Sequence, residues 1–585
     1  MNQASGRLRS CQELQFTTHD RMSLFYRYWP GLGEGPSRAI VLFHRELEHS
    51  ERIMHLVDEL DLPACHFFAW DARGMGRSVQ QGRSRHGFAD LVKDVDSFMR
   101  HIGIEHGIAF ENMALVAQSS AAVAVAVWVH DYAPGIAAMV LAGAGFKRRF
   151  SNPLLLPCLG LRDEDAQIDL RISVSQLSHD PLRNDAHDKD PLIGRWLPAR
   201  VVKGWHASAR RISKDAQPVF APTQLLMGAA DTVVDGAAQQ LFHDRIGAKV
   251  KEIRVFEGMA HDVLGELGRE QVLGTARQFI LARFAQIVPQ PDLRNAHLAG
   301  VTCDELARLK QPPASFIARC YWALTRWSVR ALAYVSEGMK IGAETGFDSG
   351  STLDYVYRNQ SQGVTPLGKM LDRVYLNSIS WRGIRVRKPH VERLIADAVG
   401  RLRQAGQPVR IVDIAAGHGR YILEVLARQR QSDVQILLRD FAPINIEQGR
   451  ELIARLGMQD CARFELGDGF DRASLAAITP RPTLAVACGL YELFPDNTLV
   501  QASLAGLGDA LDSGSYLVYT TNPWHPQLEM VARGLTTHRD GHSQFFMQRR
   551  FQAEMDQMVA AAGFVKLDQL IDEWGIFSVS LARKL

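Results

Sequence analysis

The chain has 585 residues, 46% hydrophobic and 22% charged, with a formal net charge of +3. That length exceeds one hydrophobic core and suits two or three domains, and the composition excludes a globally disordered chain. The near-balanced charge gives no electrostatic reason to expect nucleic acid or an anionic membrane.

Residues 1–10 are polar and lack the apolar run of a signal peptide. From residue 16 to about 284, short apolar runs alternate with helical stretches, the mark of a doubly wound α/β sheet. Strands are expected at residues 39–43, 66–70, 113–116, 137–142, 223–227 and 251–256, apolar on both faces as buried parallel strands are. The Ala- and Val-rich run 113–129 contains Gln118, Ser119 and Ser120 and falls short of a membrane span. A buried strand, a turn and a buried helix account for it. A polar insertion over about 147–214, with prolines at 153, 157, 181, 191 and 198, reads as a lid. Residues 1–288 then form the first domain, and 289–315, with prolines at 289, 291, 312 and 313, form a linker. A helix is expected from 316 to about 335. Its Tyr321, Trp322 and Trp327, with Tyr334, read as core packing in a helical cap over 316–405; a lipid-facing or substrate-facing surface is the alternative. A second strand–helix alternation fills 406–585. The cysteines, at 11, 65, 158, 303, 320, 461 and 488, form no CxxC pair. Neither a metal site nor a disulfide framework is expected, and reduced thiols suit a cytosolic protein.

Ester hydrolysis by a serine needs a histidine to take its proton and a carboxylate to orient the histidine. Residues 115–121 read Leu-Val-Ala-Gln-Ser-Ser-Ala, a strand running into a turn at Ser119. Asp231 and His261 each follow a later expected strand, so order and placement fit the sequence Ser, Asp, His. Residues 44–52 (His-Arg-Glu-Leu-Glu-His-Ser-Glu-Arg), residues 71–78 (Asp-Ala-Arg-Gly-Met-Gly-Arg-Ser) and the Asp-Pro pairs at 180–181 and 190–191 resemble the monoacylglycerol lipase family of α/β-hydrolases. The resemblance implies an α/β-hydrolase fold with a helical lid. Ser119 would be the nucleophile, His261 the general base and acid, and Asp231 its orienter, with the backbone N–H groups of Glu46 and Ser120 holding the oxyanion. The chain departs from that family in two places. Ala117 and Ala121 flank the serine where glycines are usual, and Arg45 and Leu47 replace glycines of the oxyanion loop. The Glu46 side chain is expected to point away from the oxyanion or to pair with Arg45. An amidase or peptidase acting through the same three residues stays open, as does a catalytically silent binding or regulatory module.

Residues 411–419 read Ile-Val-Asp-Ile-Ala-Ala-Gly-His-Gly, a strand running into a glycine turn. Strand 434–438 then leads to Asp440, and residues 464–469 (Phe-Glu-Leu-Gly-Asp-Gly) contain Asp468. Further strands are expected at 483–488, 515–521, 565–567 and 576–581. A dinucleotide fingerprint would need a third glycine where Ile422 stands. The pattern resembles class I methyltransferases, a Rossmann-like fold that uses S-adenosylmethionine (SAM). The resemblance implies SAM held by Asp413, Ala415, Gly417 and Gly419, with Asp440 at the ribose and Asp468 by the adenine. From about residue 300 the chain resembles bacterial methyltransferases fused behind such hydrolases. Tyr491, Glu492, Asn522, Trp524 and His525 follow expected strands and are placed at the pocket wall.

The expected whole is a two-headed cytoplasmic enzyme of lipid metabolism, with or without peripheral contact to the inner membrane face. Its substrates are a small-molecule or lipid ester and a methyl acceptor that the sequence does not name, and no nucleic acid is expected.

Overall fold

The computed structural model describes residues 9–33, 36–79, 85–149, 163–428, 434–537, 539 and 543–585. The chain divides into two compact units, Met1–Pro291 and Asp292–Leu585.

The first unit contains strands β1 (Gln12–Thr17), β2 (Ser23–Trp29), β3 (Ala39–Phe43), β4 (His66–Trp70), β5 (Met113–Gln118), β6 (Ala138–Ala142), β7 (Gln167–Asp169), β8 (Trp196–Pro198), β9 (Thr223–Gly228) and β10 (Lys251–Phe256). Eight of them form one sheet in the order β1-β2-β4-β3-β5-β6-β9-β10. From β4 to β10 every neighbouring pair is parallel. The central strands β3, β5, β6 and β9 are buried along their whole length, which is why their sequences are continuous apolar runs rather than alternating ones. The antiparallel pair β1 and β2 was absent from the sequence-based expectation. Gln12–Thr17 is an edge strand that buries only Phe16, so it carries almost no hydrophobic signal.

The run after β5 is a helix, Ser119–Tyr132, buried on every side. The lid carries the short antiparallel pair β7 and β8 and helices Val174–Leu177, Pro181–Lys189 and Ala199–Lys214. The apolar lid stretch at 154–157 lies outside the described residues.

The second unit begins with helices. Val301–Lys310, inside the segment read as a linker, is helical and buries Leu309. Phe316–Leu332, Glu337–Thr345, Gly350–Arg358, Pro366–Leu376 and Ile379–Gln404 follow. The aromatic residues of the first of these do not pack in a core. Within Phe316–Leu332 only Val329 is buried, while Tyr321 and Trp327 are 59% and 66% exposed and the following Tyr334 is 84% exposed. One narrow stripe of the helix meets the rest of the unit, and its aromatic face is left outside.

Seven strands follow: β11 (Val409–Asp413), β12 (Val434–Asp440), β13 (Ala462–Leu466), β14 (Leu484–Ala487), β15 (Tyr516–Thr521), β16 (Phe564–Ile571) and β17 (Ser578–Lys584). Their order is β13-β12-β11-β14-β15-β17-β16. The first five are parallel, and β17 runs antiparallel to both β15 and β16. The order reverses between β11 and β14, which opens a crevice at their C-terminal ends where ligands of open α/β sheets bind. Among the described residues no helix is long and apolar enough to cross a membrane.

Candidate active sites

In the first unit, parallel strands β5, β9 and β10 deliver three side chains to the same edge of the sheet. Ser119 follows β5 directly and has φ +50°, a left-handed conformation that is uncommon for a non-glycine residue. Held there by buried strand and helix, its hydroxyl sits at the tip of a strained turn. Ala117 and Ala121 are buried beside it, so alanine is small enough at both flanks. Ser119 Oγ–H donates to His261 Nε2 over 3.0 Å, and His261 Nδ1–H donates to Asp231 Oδ2 over 2.8 Å. The other Asp231 oxygen accepts from the backbone N–H groups of Val233 and Val234, which fixes the carboxylate against rotation. Ser119 and His261 are almost fully buried. The three residues named from the sequence are thus brought into one hydrogen-bonded relay.

The loop after β3 differs from expectation. Glu46 neither points away nor pairs with Arg45. Arg45 instead bonds Glu48 at 2.5 Å and lies 3.9 Å from Asp262. The Glu46 carboxylate faces Arg148 at 3.4 Å and accepts from the Ser120 backbone N–H at 3.3 Å. Burial opposes its charge. Arg148, His261 and hydrogen bonding from its own backbone N–H and from Ser119 outweigh that opposition, and the carboxyl is held below its ordinary pKa. The donors expected to hold an oxyanion therefore already face an anionic group. Leu47, at a position where the family has glycine, adopts φ +67°. The loop keeps the left-handed turn without the residue that tolerates it best, and the backbone N–H of Gly194 in the lid bonds the Leu47 carbonyl at 2.8 Å.

The remaining family motifs hold this loop in place. Asp71 accepts from the N–H groups of Ser50 and Arg77, His49 bonds Asp190 of the lid at 2.9 Å, and Asp180 caps the helix Pro181–Lys189.

In the second unit, the turn after β11 has Gly417 at φ +56° and Gly419 at φ +71°. A Cβ on Gly419 would stand 2.6 Å from Leu438 Cδ1, so glycine is needed for both reasons. The turn borders a cavity of about 600 Å³ lined by Ala415, Gly417, Gly419, Asp440 and Asp468. Asp440 Oδ2 accepts from Gly417 N–H, and Oδ1 accepts from the Ala442 N–H and the Asn445 amide. Asp413 differs from the sequence expectation. It does not line the cavity but lies buried behind the turn, accepting from Ala415 N–H and from the Tyr421 hydroxyl. Burial raises its pKa to about 7.

Sequence reasoning missed the wall supplied by the helices. Asp348, Asp354, Tyr357 and Arg387 reach the same cavity from the segment read only as a cap. A Cβ on Gly350 would come within 2.5 Å of Asn445 Oδ1, so the start of that helix packs directly on the glycine-turn region. Gly-Phe-Asp-Ser-Gly at 346–350 was the available signal. The cavity fits a nucleoside cofactor on three counts: a glycine cradle, acidic acceptors for hydroxyl groups, and the buried His418 Nε2 at its wall with no partner among the described residues.

Comparison with known proteins bears on both halves. A family model described as "Putative methyltransferase" matches residues 276–584, and one described as "Serine aminopeptidase, S33" matches residues 34–268. A protein of Escherichia coli (strain K12), described as "Uncharacterized protein YnbC", is 44% identical over 571 residues and covers 97% of each chain. A monoacylglycerol lipase of Mycolicibacterium smegmatis is 25% identical over 256 residues, 42% of this chain and 89% of that protein. A solved monoacylglycerol lipase from Paleococcus ferrophilus aligns at 20% identity with a TM-score of 0.39, over 47% of this chain and 99% of that one.

Proposed function

The chain belongs to this methyltransferase family, and on that premise we propose that it is a bifunctional enzyme: a serine ester hydrolase of the acylglycerol lipase or lysophospholipase type joined to a SAM-dependent methyltransferase, acting in lipid metabolism. The observation that carries the hydrolase half is the Ser119–His261–Asp231 relay with Ser119 at a left-handed turn. Ser119 attacks the ester carbonyl, His261 takes its proton and returns it to the leaving alcohol, and Asp231 orients the imidazole and stabilises its charged form. The lipase relative supports an acyl ester as substrate.

SAM supplies an activated methyl group when bound. In this reading Asp440 accepts from its ribose hydroxyls, Asp468 lies by the adenine, and Ala415, Gly417 and Gly419 let backbone approach its methionine portion.

The protein works in the cytoplasm at a membrane surface. Phe316, Ile317, Tyr321, Leu324 and Trp327 form an exposed apolar face on one helix. The same helix carries Arg319, Arg326 and Arg330 and no acidic residue. Interfacial aromatics beside cationic side chains suit an anionic bilayer surface.

The test is paired: release of oleate from monooleoylglycerol by the full chain and its Ser119→Ala variant, and calorimetric binding of S-adenosylhomocysteine (SAH), the demethylated product of SAM. Hydrolysis lost in Ser119→Ala, with SAH binding unchanged, is the expected result. A second reading is favoured by Glu46 lying at the expected oxyanion donors: the first unit is a silent module that binds or regulates. It predicts no hydrolysis in the wild-type chain and none in Glu46→Gly.

A further inference from the structure

The second unit holds another cavity, of about 260 Å³. It adjoins the glycine-turn cavity, and Asp348, Leu353, Arg387, Gly489 and Leu493 line both. Its body is apolar and aromatic, with Phe347, Tyr375, Trp381, Phe545, Met547 and Phe577 in the wall.

The charged groups at its inner end are already paired. Arg387 Nη1 donates to Glu492 Oε1 over 2.9 Å, and Arg387 is buried against the Phe577 ring at 5.1 Å. Asp348 accepts from the Thr537 hydroxyl at 2.6 Å and lies 3.4 Å from Arg539. A charged ligand would enter without a counter-charge, and desolvation would oppose it strongly. Such surroundings favour a neutral ligand over a charged one.

Two polar groups at the wall have different capacities. His525 has both ring nitrogens engaged: Nδ1 accepts from Gln527 N–H at 3.2 Å, and Nε2–H donates to Ser380 Oγ at 3.2 Å. Ser380 Oγ–H in turn donates to Gln527 Oε1 at 2.8 Å. Burial pushes the histidine down to about 4, so it stays neutral and takes up no proton near pH 7. Glu492 is different. Its Oε1 is held by Arg387, and its buried Oε2 has no hydrogen-bond partner among the described residues. A buried carboxylate oxygen left without a donor is costly unless a ligand or water supplies one.

We propose that this cavity is the methyl-acceptor site, that it takes a neutral hydroxyl compound on an apolar body, and that Glu492 receives the hydroxyl proton. The proposal rests on the methyltransferase reading and names its acceptor class. As the acceptor oxygen bonds the methyl carbon, the methyl–sulfur bond breaks with its electron pair going to sulfur. The hydroxyl proton passes to Glu492 Oε2 and from there to solvent. The positive charge of the sulfonium is thereby lost and one proton is released, so charge balances. Entry is from the outside of the helices: Val374 lines the cavity yet is 66% exposed, which puts an opening at that surface.

The test is calorimetry on the full chain. SAH binding is measured first, and loss of it would defeat the methyltransferase reading itself. The SAH-loaded protein is then titrated with 4-nonylphenol and 1-dodecanol, both neutral at pH 7.5, and with dodecanoate and dodecylammonium. At least one neutral probe is expected to bind, at least about 10-fold more tightly than either ion. Val374→Trp, at the exposed mouth, is expected to weaken that binding by at least about 10-fold while SAH binding holds. Transfer of labelled methyl to the bound probe is expected in the wild type and lost in Glu492→Gln, which still binds the probe. With SAH bound, three results would overturn the proposal: no binding of either neutral probe, equal binding of the ions, or methyl transfer that survives Glu492→Gln.

Discussion

The Glu46 carboxylate accepts a hydrogen bond from the Ser120 backbone N–H at 3.3 Å. In a serine hydrolase that N–H serves the oxyanion of the tetrahedral intermediate. Here a buried side chain carrying the same charge stands before it, anchored by Arg148. Ser119 has one hydroxyl proton, and both His261 and Glu46 are placed to accept it. The hydrogen-bonded relay is complete while the expected oxyanion donors are filled from within the chain, so in the proposed hydrolysis the substrate carbonyl and Glu46 would compete for one position.

That competition predicts a gain of function. Glu46→Gly removes the carboxylate and frees the donors. Losing a single oxyanion donor costs about 100-fold or more in kcat, so releasing one that is occupied is expected to raise kcat/KM for a p-nitrophenyl acyl ester by a comparable factor. An unchanged or lower value would mean that the carboxylate does not obstruct turnover.

Asp440 lines the glycine-turn cavity and also fastens Gly417. Hydrogen bonds to a charged acceptor contribute roughly 1.5–3 kcal/mol. Asp440→Ala is therefore expected to weaken SAH binding by about 10- to 100-fold in a calorimetric titration. Binding within a factor of two of wild type would remove Asp440 from the cofactor site.

Much of this arrangement was readable because the site residues of both units sit at the C-terminal ends of parallel strands, buried ones except for the edge strand β10 before His261. Ser119, Asp231 and His261 each end or follow such a strand, as do Asp440 and the glycine turn. What escaped was set by side-chain direction and by distant segments. Nothing in the sequence says that Glu46 turns inward, because that depends on Leu47 at φ +67° and on Arg148 more than a hundred residues later. Asp413 has the residue type and spacing of a cofactor contact, yet its oxygens are taken by Ala415 and Tyr421. Asp354 and Arg387 come from helices preceding the sheet and Asp348 from the turn before one of them, and no local pattern connects them to the glycine turn.

Asp413 also gives a pH dependence. Burial, with Asp440 nearby, raises its pKa from 3.8 to about 7 in the folded protein. The folded state then holds this proton more tightly than the unfolded chain does. The associated stability is fully present below about pH 4 and is lost as pH rises through 7. The melting temperature of the transition that SAH binding shifts is expected to fall between pH 5 and 8, and the slope is expected to flatten in Asp413→Asn. Equal slopes would place the titration elsewhere.

The exposed aromatic helix predicts membrane binding that depends on anionic lipid. Wild-type protein is expected to co-sediment with phosphatidylglycerol vesicles and much less with phosphatidylcholine vesicles. The double variant Tyr321→Glu, Trp327→Glu is expected to lose the interaction while keeping SAH binding. Co-sedimentation undiminished in that variant would assign the contact to another surface.

The proposed hydrolysis requires Ser119 to be an activated nucleophile. The most direct measurement treats the native full-length chain with a fluorophosphonate and maps the adduct by peptide mass spectrometry, beside heat-denatured protein and Ser119→Ala. An adduct on Ser119 is expected in the native chain alone, formed faster in Glu46→Gly. No adduct on Ser119 in either the wild type or Glu46→Gly, with SAH binding intact, would contradict it and leave the first unit as a binding module.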